Sequence, residues 1–322
     1  MTQYSYHASH EQFSPRDLLH YVTLAEAAGF DGAFSSDHLN PWSPSQGQSG
    51  FAWSWLGAAL AITNRMSFGV ITVPGGWRYH PVVLAQAIAT LGQMFPGRLP
   101  WVALGSGQAL NEHVVTEHWP EKPERHMRLG EGAAIITSLL QGETVNHDAA
   151  LTARDAKIWS RPDAPTRLVG AATSEATAYW LGGWAQGLLT VGTDPARLGA
   201  IIKAFRSGGG AGKPLYLKVD ISWAPSESEA LGQAFKEWRF NSLGGDSNWE
   251  ICNPEDFVTA TSHVTMNDMK KSVLISSDPL QFVGRLSELA ALGFESIDVH
   301  NVANNQAAFI QMFGAEVLPR LP

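Results

Sequence analysis

One unit recurs along this chain: an amphipathic helix, a glycine stop, then a short β-rich run. Ser14-Pro15 opens the first helix with a capping residue and a proline at its first position. Leu18, Leu19, Val22 and Ala25 form its apolar stripe, and Gly29 closes it before Phe30-Asp31-Gly32-Ala33-Phe34. Asp278-Pro279 opens another helix, with Phe282, Val283, Leu286 and Leu289 as its stripe. Gly293 closes that helix before Phe294 to Val299. Pro81–Phe95 ahead of Gly97-Arg98, and Glu175–Trp184 ahead of Gly187, repeat the grammar. Strands are expected near Tyr4, Asp31, Ser67, Trp101, Leu168, Gly187, Leu215 and Ser296. Strands separated by helices require a parallel sheet, and eight of them favour a closed (β/α)8 TIM barrel over an open doubly wound sheet. A Rossmann sheet is disfavoured because no Gly-x-Gly-x-x-Gly links the first strand to its helix.

The length of 322 residues fits one such barrel, spanning 1–322, with insertions at its C-terminal mouth. Hydrophobic residues make up 44% and charged residues 16%, enough apolar material for a large core. Two stretches break the rhythm. Thr144–Pro165 is polar and leads into the fifth strand. Asn241–Ser272, with Gly244-Gly245, Trp249, Cys252, Pro254 and His263, reads as a lid over the mouth.

A formal charge of −8 without a Lys/Arg cluster argues against nucleic acid and anionic membranes as partners. Cys252 is alone, so no disulfide framework exists. The start Met1-Thr2-Gln3-Tyr4 has no secretory pattern. The weakly charged stretch Phe51–Thr63 is shorter than the ~20 residues that span a bilayer. A cytoplasmic protein is expected.

Barrels place their chemistry where strands end. Ser35-Ser36-Asp37-His38 follows the second strand, with Trp42 four residues on. A carboxylate beside an imidazole can orient it and support its charged form. Gly105-Ser106-Gly107 follows the fourth strand and offers unobstructed backbone amides. Ala172-Thr173-Ser174 closes the fifth strand and opens a helix, an arrangement suited to phosphate. Trp42, Trp77 and Trp249 lie in loop-like contexts and suit flat walls for a ring. His7, His10, Glu11, His38 and His300 fall near strand ends, yet no His-x-His pair or His-Glu-x-x-His helix accompanies them, so no metal is expected. A serine hydrolase is disfavoured because Gly-x-Ser-x-Gly is absent.

At these residues the chain resembles the bacterial luciferase-like superfamily of flavin and deazaflavin oxidoreductases, especially the branch of F420-dependent glucose-6-phosphate dehydrogenases. The shared pattern runs through Tyr6–Phe13, Ser36-Asp37-His38 to Trp42, Thr63-Asn64-Arg65, Arg78-Tyr79-His80-Pro81, Ala85-Gln86-Ala87, Gly105–Glu112 and Ser276–Pro279. It is dense in the first third and looser in the middle and the lid. The resemblance implies a homodimeric barrel with an isoalloxazine or deazaflavin ring in its mouth. His38 would then lie at the redox centre, with Glu11 and Trp42 on the substrate side; Trp249 and His263 are expected to join the substrate side from their place in the lid segment. Asp37, Gly105, Ser106, Gly107, Ala172, Thr173 and Ser174 are expected to hold the cofactor, and Ile71-Thr72 to buttress it through a non-proline cis peptide.

Three departures qualify the resemblance. Gln108 stands where the dehydrogenase branch has a glutamate, and an amide neither donates nor accepts a catalytic proton. Gly192-Thr193 and Ser272 stand where sugar-phosphate-binding cations are expected, although Lys270 and Lys271 are close by. Thr173-Ser174 replaces the glycine pair that cradles the deazaflavin phosphate and looks more like the seat of FMN-binding members. The sequence therefore reads as an FMN-dependent monooxygenase, dehydrogenase or reductase of a small organic molecule, with coenzyme F420 as the alternative cofactor and a separate flavin reductase as a potential partner. Catalytic roles fall to His38, Glu11 and position 108. The rivals are a metal-dependent barrel hydrolase and a flavin-binding protein without turnover.

Overall fold

The computed structural model describes residues 1–243 and 247–322. All eight expected strands form: β1 (Gln3–Ala8), β2 (Gly32–Ser36), β3 (Ser67–Pro74), β4 (Trp101–Gly105), β5 (Arg167–Ala171), β6 (Leu188–Val191), β7 (Leu215–Trp223) and β8 (Ser296–Asn301). Each pairs in parallel with its neighbours in chain order. The ring closes where Gln3 of β1 registers with Ser296 of β8. The fold is a closed (β/α)8 barrel.

Local chemistry sets the helix ends as expected. The Ser14 hydroxyl accepts from Asp17 N, and Gly29 ends the Pro15–Ala28 helix at φ 102°. The Asp278 carboxylate accepts from Leu280 N at the start of Pro279–Ala290. Thr144–Pro165 is more than a lead-in, because Val145–Asp148 and Thr152–Ala156 pair as an antiparallel hairpin. Leu151, Ala153 and Ile158 are its buried anchors, too sparse in a polar run to be read from periodicity. Within Asn241–Ser272 the chain forms short helices at Ser247–Glu250, Pro254–Ala260 and Met266–Met269. Gly244, Gly245 and Asp246 lie outside the described residues. Among the described residues no helix is long and apolar enough to cross a membrane.

Strand register divides the barrel interior into two unlike halves. Phe34, Ile71, Trp101, Ala103, Val169, Leu189 and Tyr216 form a buried apolar plug across β2 to β7. The Trp101 ring sits 4.6 Å from Phe34 and 4.5 Å from Tyr216. Gly69 makes room for it, since a Cβ there would fall 2.0 Å from Trp101 Cζ2. Inward positions above Tyr216 on β7 are instead Lys218 and Asp220. They register with Asp298 and His300 of β8, and His7 of β1 lies alongside. The barrel interior therefore has an apolar floor, with ionisable groups of β1, β7 and β8 above it.

Candidate active site

The loop after β1 and the end of β2 bring Glu11 and His38 together. Glu11 is 3% exposed, and its Oε2 accepts from Ser36 Oγ at 2.6 Å and from Ser9 Oγ at 3.1 Å. Its Oε1 lies 3.3 Å from His38 Nε2. Burial opposes ionisation of Glu11, but His38 and the Ser36 hydroxyl outweigh it and hold the carboxyl at about 2. Glu11 is thus an anion at neutral pH, an electrostatic partner for His38 rather than a group that gains and loses protons there.

His38 Nδ1 lies 3.3 Å from the Asn40 carbonyl and 3.3 Å from Asn111 Nδ2. At Nδ1 one neighbour accepts and the other donates, but the Glu11 anion at Nε2 can only accept, so the ring, when neutral, is seated with Nε2–H on Glu11 and Nδ1 accepting from Asn111. It is also supported as an imidazolium, with Nδ1–H on Asn40 and Nε2–H on Glu11. Asn111 fixes this loop from below, its Oδ1 accepting from Leu39 N at 2.9 Å and Asn40 N at 3.1 Å. Gln108 joins the same network. Its Oε1 accepts from Asn111 Nδ2 at 3.3 Å, and its Nε2 donates to the Asn248 carbonyl at 2.8 Å.

Asp37 does not orient His38. Both residues follow the end of β2, and the Asp37 carboxylate turns away to accept from Tyr79 Oη at 2.8 Å, with Arg78 Nη1 at 3.6 Å. Burial raises its carboxyl even against Arg78 and Tyr79. Arg78 also donates through Nε to Glu112 at 2.8 Å. The expectation of an Asp37–His38 pair is corrected, since the carboxylate facing His38 is Glu11.

The peptide bond between Ile71 and Thr72 is cis, and the Ile71 carbonyl accepts from Asp37 N at 2.9 Å. Gly105 is fixed by close packing, because a Cβ would sit 2.5 Å from Thr72 Cγ2. Gly107 has φ 88°, and a Cβ there would fall 2.9 Å from both Trp77 and Trp119. The Ser106 carbonyl accepts from Trp77 Nε1 at 3.1 Å. Ala172 is buried at the end of β5. Ser174 Oγ caps the Glu175–Gly182 helix by accepting from Thr177 N, and the Thr173 carbonyl accepts from Arg197 Nη2 at 3.1 Å.

Trp42 faces His38 at 5.2 Å between ring centroids and is braced by Phe257 at 5.4 Å and Trp238 at 6.4 Å. Phe257 belongs to the expected lid segment, so that segment touches the mouth. Trp249 is half-buried on the short helix beside Asn248, whereas His263 is exposed and is not brought to the His38 group. Lys270 and Lys271 form surface pairs with Glu227 and Asp268. Sequence reasoning missed the roles of Asn111, Trp238, Asp220 and Lys218. The signal available for the last two was a run of charges at alternate positions of a strand with apolar neighbours. Among the described residues no group of three or more His, Cys, Asp or Glu is arranged to hold a metal ion.

Comparison with known proteins matches residues 1–296 to the family described as luciferase-like monooxygenase. An F420-dependent glucose-6-phosphate dehydrogenase of Beutenbergia cavernae is 35% identical, covering 100% of this chain and 98% of the relative. A solved F420-dependent secondary alcohol dehydrogenase, in complex with an F420-acetone adduct, superposes with a TM-score of 0.93. It is 27% identical, covering 100% of this chain and 99% of that one. The F420-dependent tetrahydromethanopterin reductase of Methanopyrus kandleri shares the fold, with a TM-score of 0.81 at 20% identity over 100% of this chain and 99% of that one. With the barrel, the His38 cluster and a family match over most of its length, this chain belongs to the luciferase-like family and is an oxidoreductase.

Proposed function

We propose that the protein is an F420-dependent dehydrogenase or reductase that interconverts a small neutral alcohol and its carbonyl. The observation that carries this reading is the seating of His38, with partners in place for its neutral and charged forms beside an aromatic wall. The secondary alcohol dehydrogenase likeness over the whole chain supports it. So do relatives whose names carry F420.

The mouth fits a planar heterocycle. Register places Ile71, Ala103, Gly105 and Ala171 on one side of the barrel interior as a low apolar surface, and polar groups rise from β1 and β2 opposite. Bound there, F420 supplies a hydride acceptor or donor. The chain's own residues manage the proton. With Nδ1–H on the Asn40 carbonyl, the His38 Nε2 lone pair faces the Glu11 anion, which makes it a stronger base toward a substrate hydroxyl. The Glu11 anion at 3.3 Å then stabilises the imidazolium. Trp42 and its aromatic braces exclude water and favour an apolar substrate body. Gln108, an amide, orients Asn111 and takes no proton.

Charge placement supports a neutral substrate over a sugar phosphate. Lys270 and Lys271 are paired on the surface, and Arg285 donates to the Thr193 carbonyl at 3.0 Å and pairs with Glu288. FMN, favoured from Thr173-Ser174, becomes the second reading. The Ser174 hydroxyl accepts from Thr177 N and gives its own hydrogen to Thr177 Oγ1 at 3.1 Å, so it is not a free phosphate donor.

The test is a binding titration of the purified protein with F420 and, separately, with FMN, followed by short secondary alcohols as substrates. Tighter binding of F420 with alcohol-dependent reduction is expected. Binding of FMN with no measurable affinity for F420 would overturn the cofactor assignment.

A further inference from the structure

The ionisable half of the barrel interior centres on Asp220, 12% exposed at its side chain and far from His38 in sequence. Three side chains converge on its carboxylate. Oδ1 accepts from His300 Nδ1 at 2.8 Å and is in close contact with Lys218 Nζ. Oδ2 accepts from Trp238 Nε1 at 3.0 Å.

Each arm reaches the His38 group by one further step. Through Trp238 the path runs to Trp42, 6.4 Å away, whose other side faces His38. Trp238 is itself held by Lys218 over its ring at 5.0 Å and by the edge of His300 at 4.5 Å. Burial keeps the His300 ring neutral, with its one hydrogen on Nδ1 toward Asp220, so the path runs on from Nε2 to Gln12 Oε1 at 2.9 Å as a packing contact, and Gln12 is the residue after Glu11. Gln12 is tied down in turn by its own donation to the Val302 carbonyl at 3.0 Å. The aromatic wall and the loop carrying Glu11 therefore share one anchor.

We infer that Asp220 is a positioning residue of the reaction centre, setting the placement of Trp42 and Glu11 around His38 through Trp238 and the His300–Gln12 pair. The carboxylate is suited to this because it accepts from all three partners at once. Asparagine has one accepting oxygen and turns its amide hydrogens toward a donor. Lys218 supplies the compensating charge, so the anchor is neutral overall and does not attract an anionic substrate. The role of the anchor in turnover rests on the reading of His38 proposed above.

Two arms test it in the full-length protein. The first needs no turnover: indole and imidazole signals are followed by NMR in 15N-labelled protein carrying Asp220→Asn or Trp238→Phe. Both variants are expected to move the Trp42 indole and His38 ring signals. A folded Asp220→Asn in which both stay in place overturns the inference. If that variant does not fold, the same criterion applies to Trp238→Phe, which leaves the carboxylate–lysine pair intact. The second arm reads kcat and KM with F420 and the alcohol that the wild type oxidises best. A fall in kcat of roughly 10- to 100-fold is expected from displaced reacting groups, with F420 affinity within about twofold of wild type. The Asp220→Asn/Trp238→Phe double variant should be little worse than the poorer single one, because both act through the same wall. Losses that multiply, or an unchanged kcat, overturn the inference. A wild type inactive with F420 sinks the functional reading instead, and the NMR arm still decides the positioning role.

Discussion

Replacing Glu11 by glutamine isolates the electrostatic partner of His38. The substitution keeps shape and allows the side-chain carbonyl to go on accepting from Ser36 and Ser9. It removes a charge 3.3 Å from Nε2 and turns amide hydrogens toward that nitrogen. Two unit charges at that separation attract by about 5 kcal/mol at an effective dielectric near 20. The net value of a hydrogen bond to a charged group is smaller, roughly 1.5–3 kcal/mol. If the imidazolium forms in the rate-limiting step, kcat should fall by roughly 10- to 150-fold with little change in cofactor affinity. The same variant has a stability signature independent of turnover. The unfolded chain binds the Glu11 proton near 4.5, whereas the folded protein binds it only at about 2. The ionised, paired carboxylate thus contributes about 3 kcal/mol above pH 4.5, lost as pH falls toward 2. Denaturant unfolding across that window should be less steep in pH for Glu11→Gln than for the wild type. A kcat within twofold of wild type, or an acid limb of unchanged slope, would refute the Glu11–His38 pairing as the source of these effects.

His38→Ala should lower kcat by about 10²-fold or more, measured beside unchanged cofactor binding. Gly105→Ala should destabilise by roughly 1–3 kcal/mol in chemical denaturation because its methyl meets Thr72 Cγ2 at 2.5 Å. Adding Thr72→Ser, which deletes that methyl, should recover part of the loss. Burial holds His10 at about 4 against an ordinary 6.5, despite the opposing pull of Glu11. The unfolded chain therefore takes up the proton first, and about 3 kcal/mol present above pH 6.5 is lost as pH falls toward 4. Comparing wild type with His10→Gln by thermal unfolding from pH 7 to pH 4 should show the variant to be less acid-sensitive in that window.

The barrel was legible because its punctuation is local. Ser14-Pro15, Gly29, Asp278-Pro279 and Gly293 mark helix ends through backbone geometry that needs no tertiary context. Glu11, His38 and Trp42 were legible as a family pattern at strand ends, and the structure brings them together. Asp37 was misjudged because adjacency in sequence is not adjacency in space, and past the end of β2 its carboxylate turns to Tyr79. His263 was assigned from its place in the insertion, yet its exposure depends on how that segment folds back. The Asp220 anchor joins β7, β8 and Trp238, and no local rule sets the register that places His300 opposite Asp220. Gln108 was legible as a residue without a titrating proton. Its tie to Asn248, 140 residues away, was not.

The central claim is that this barrel moves a hydride between a neutral alcohol and F420, with His38 taking the hydroxyl proton. The direct measurement is isotopic. The protein is incubated with F420 and 2-propanol deuterated at its secondary carbon, and the reduced coenzyme is weighed by mass spectrometry. One deuterium per reduced F420 is expected, with far slower incorporation by His38→Ala. F420 that stays oxidised with short secondary alcohols, while FMN bound to the same protein turns over, would contradict the claim.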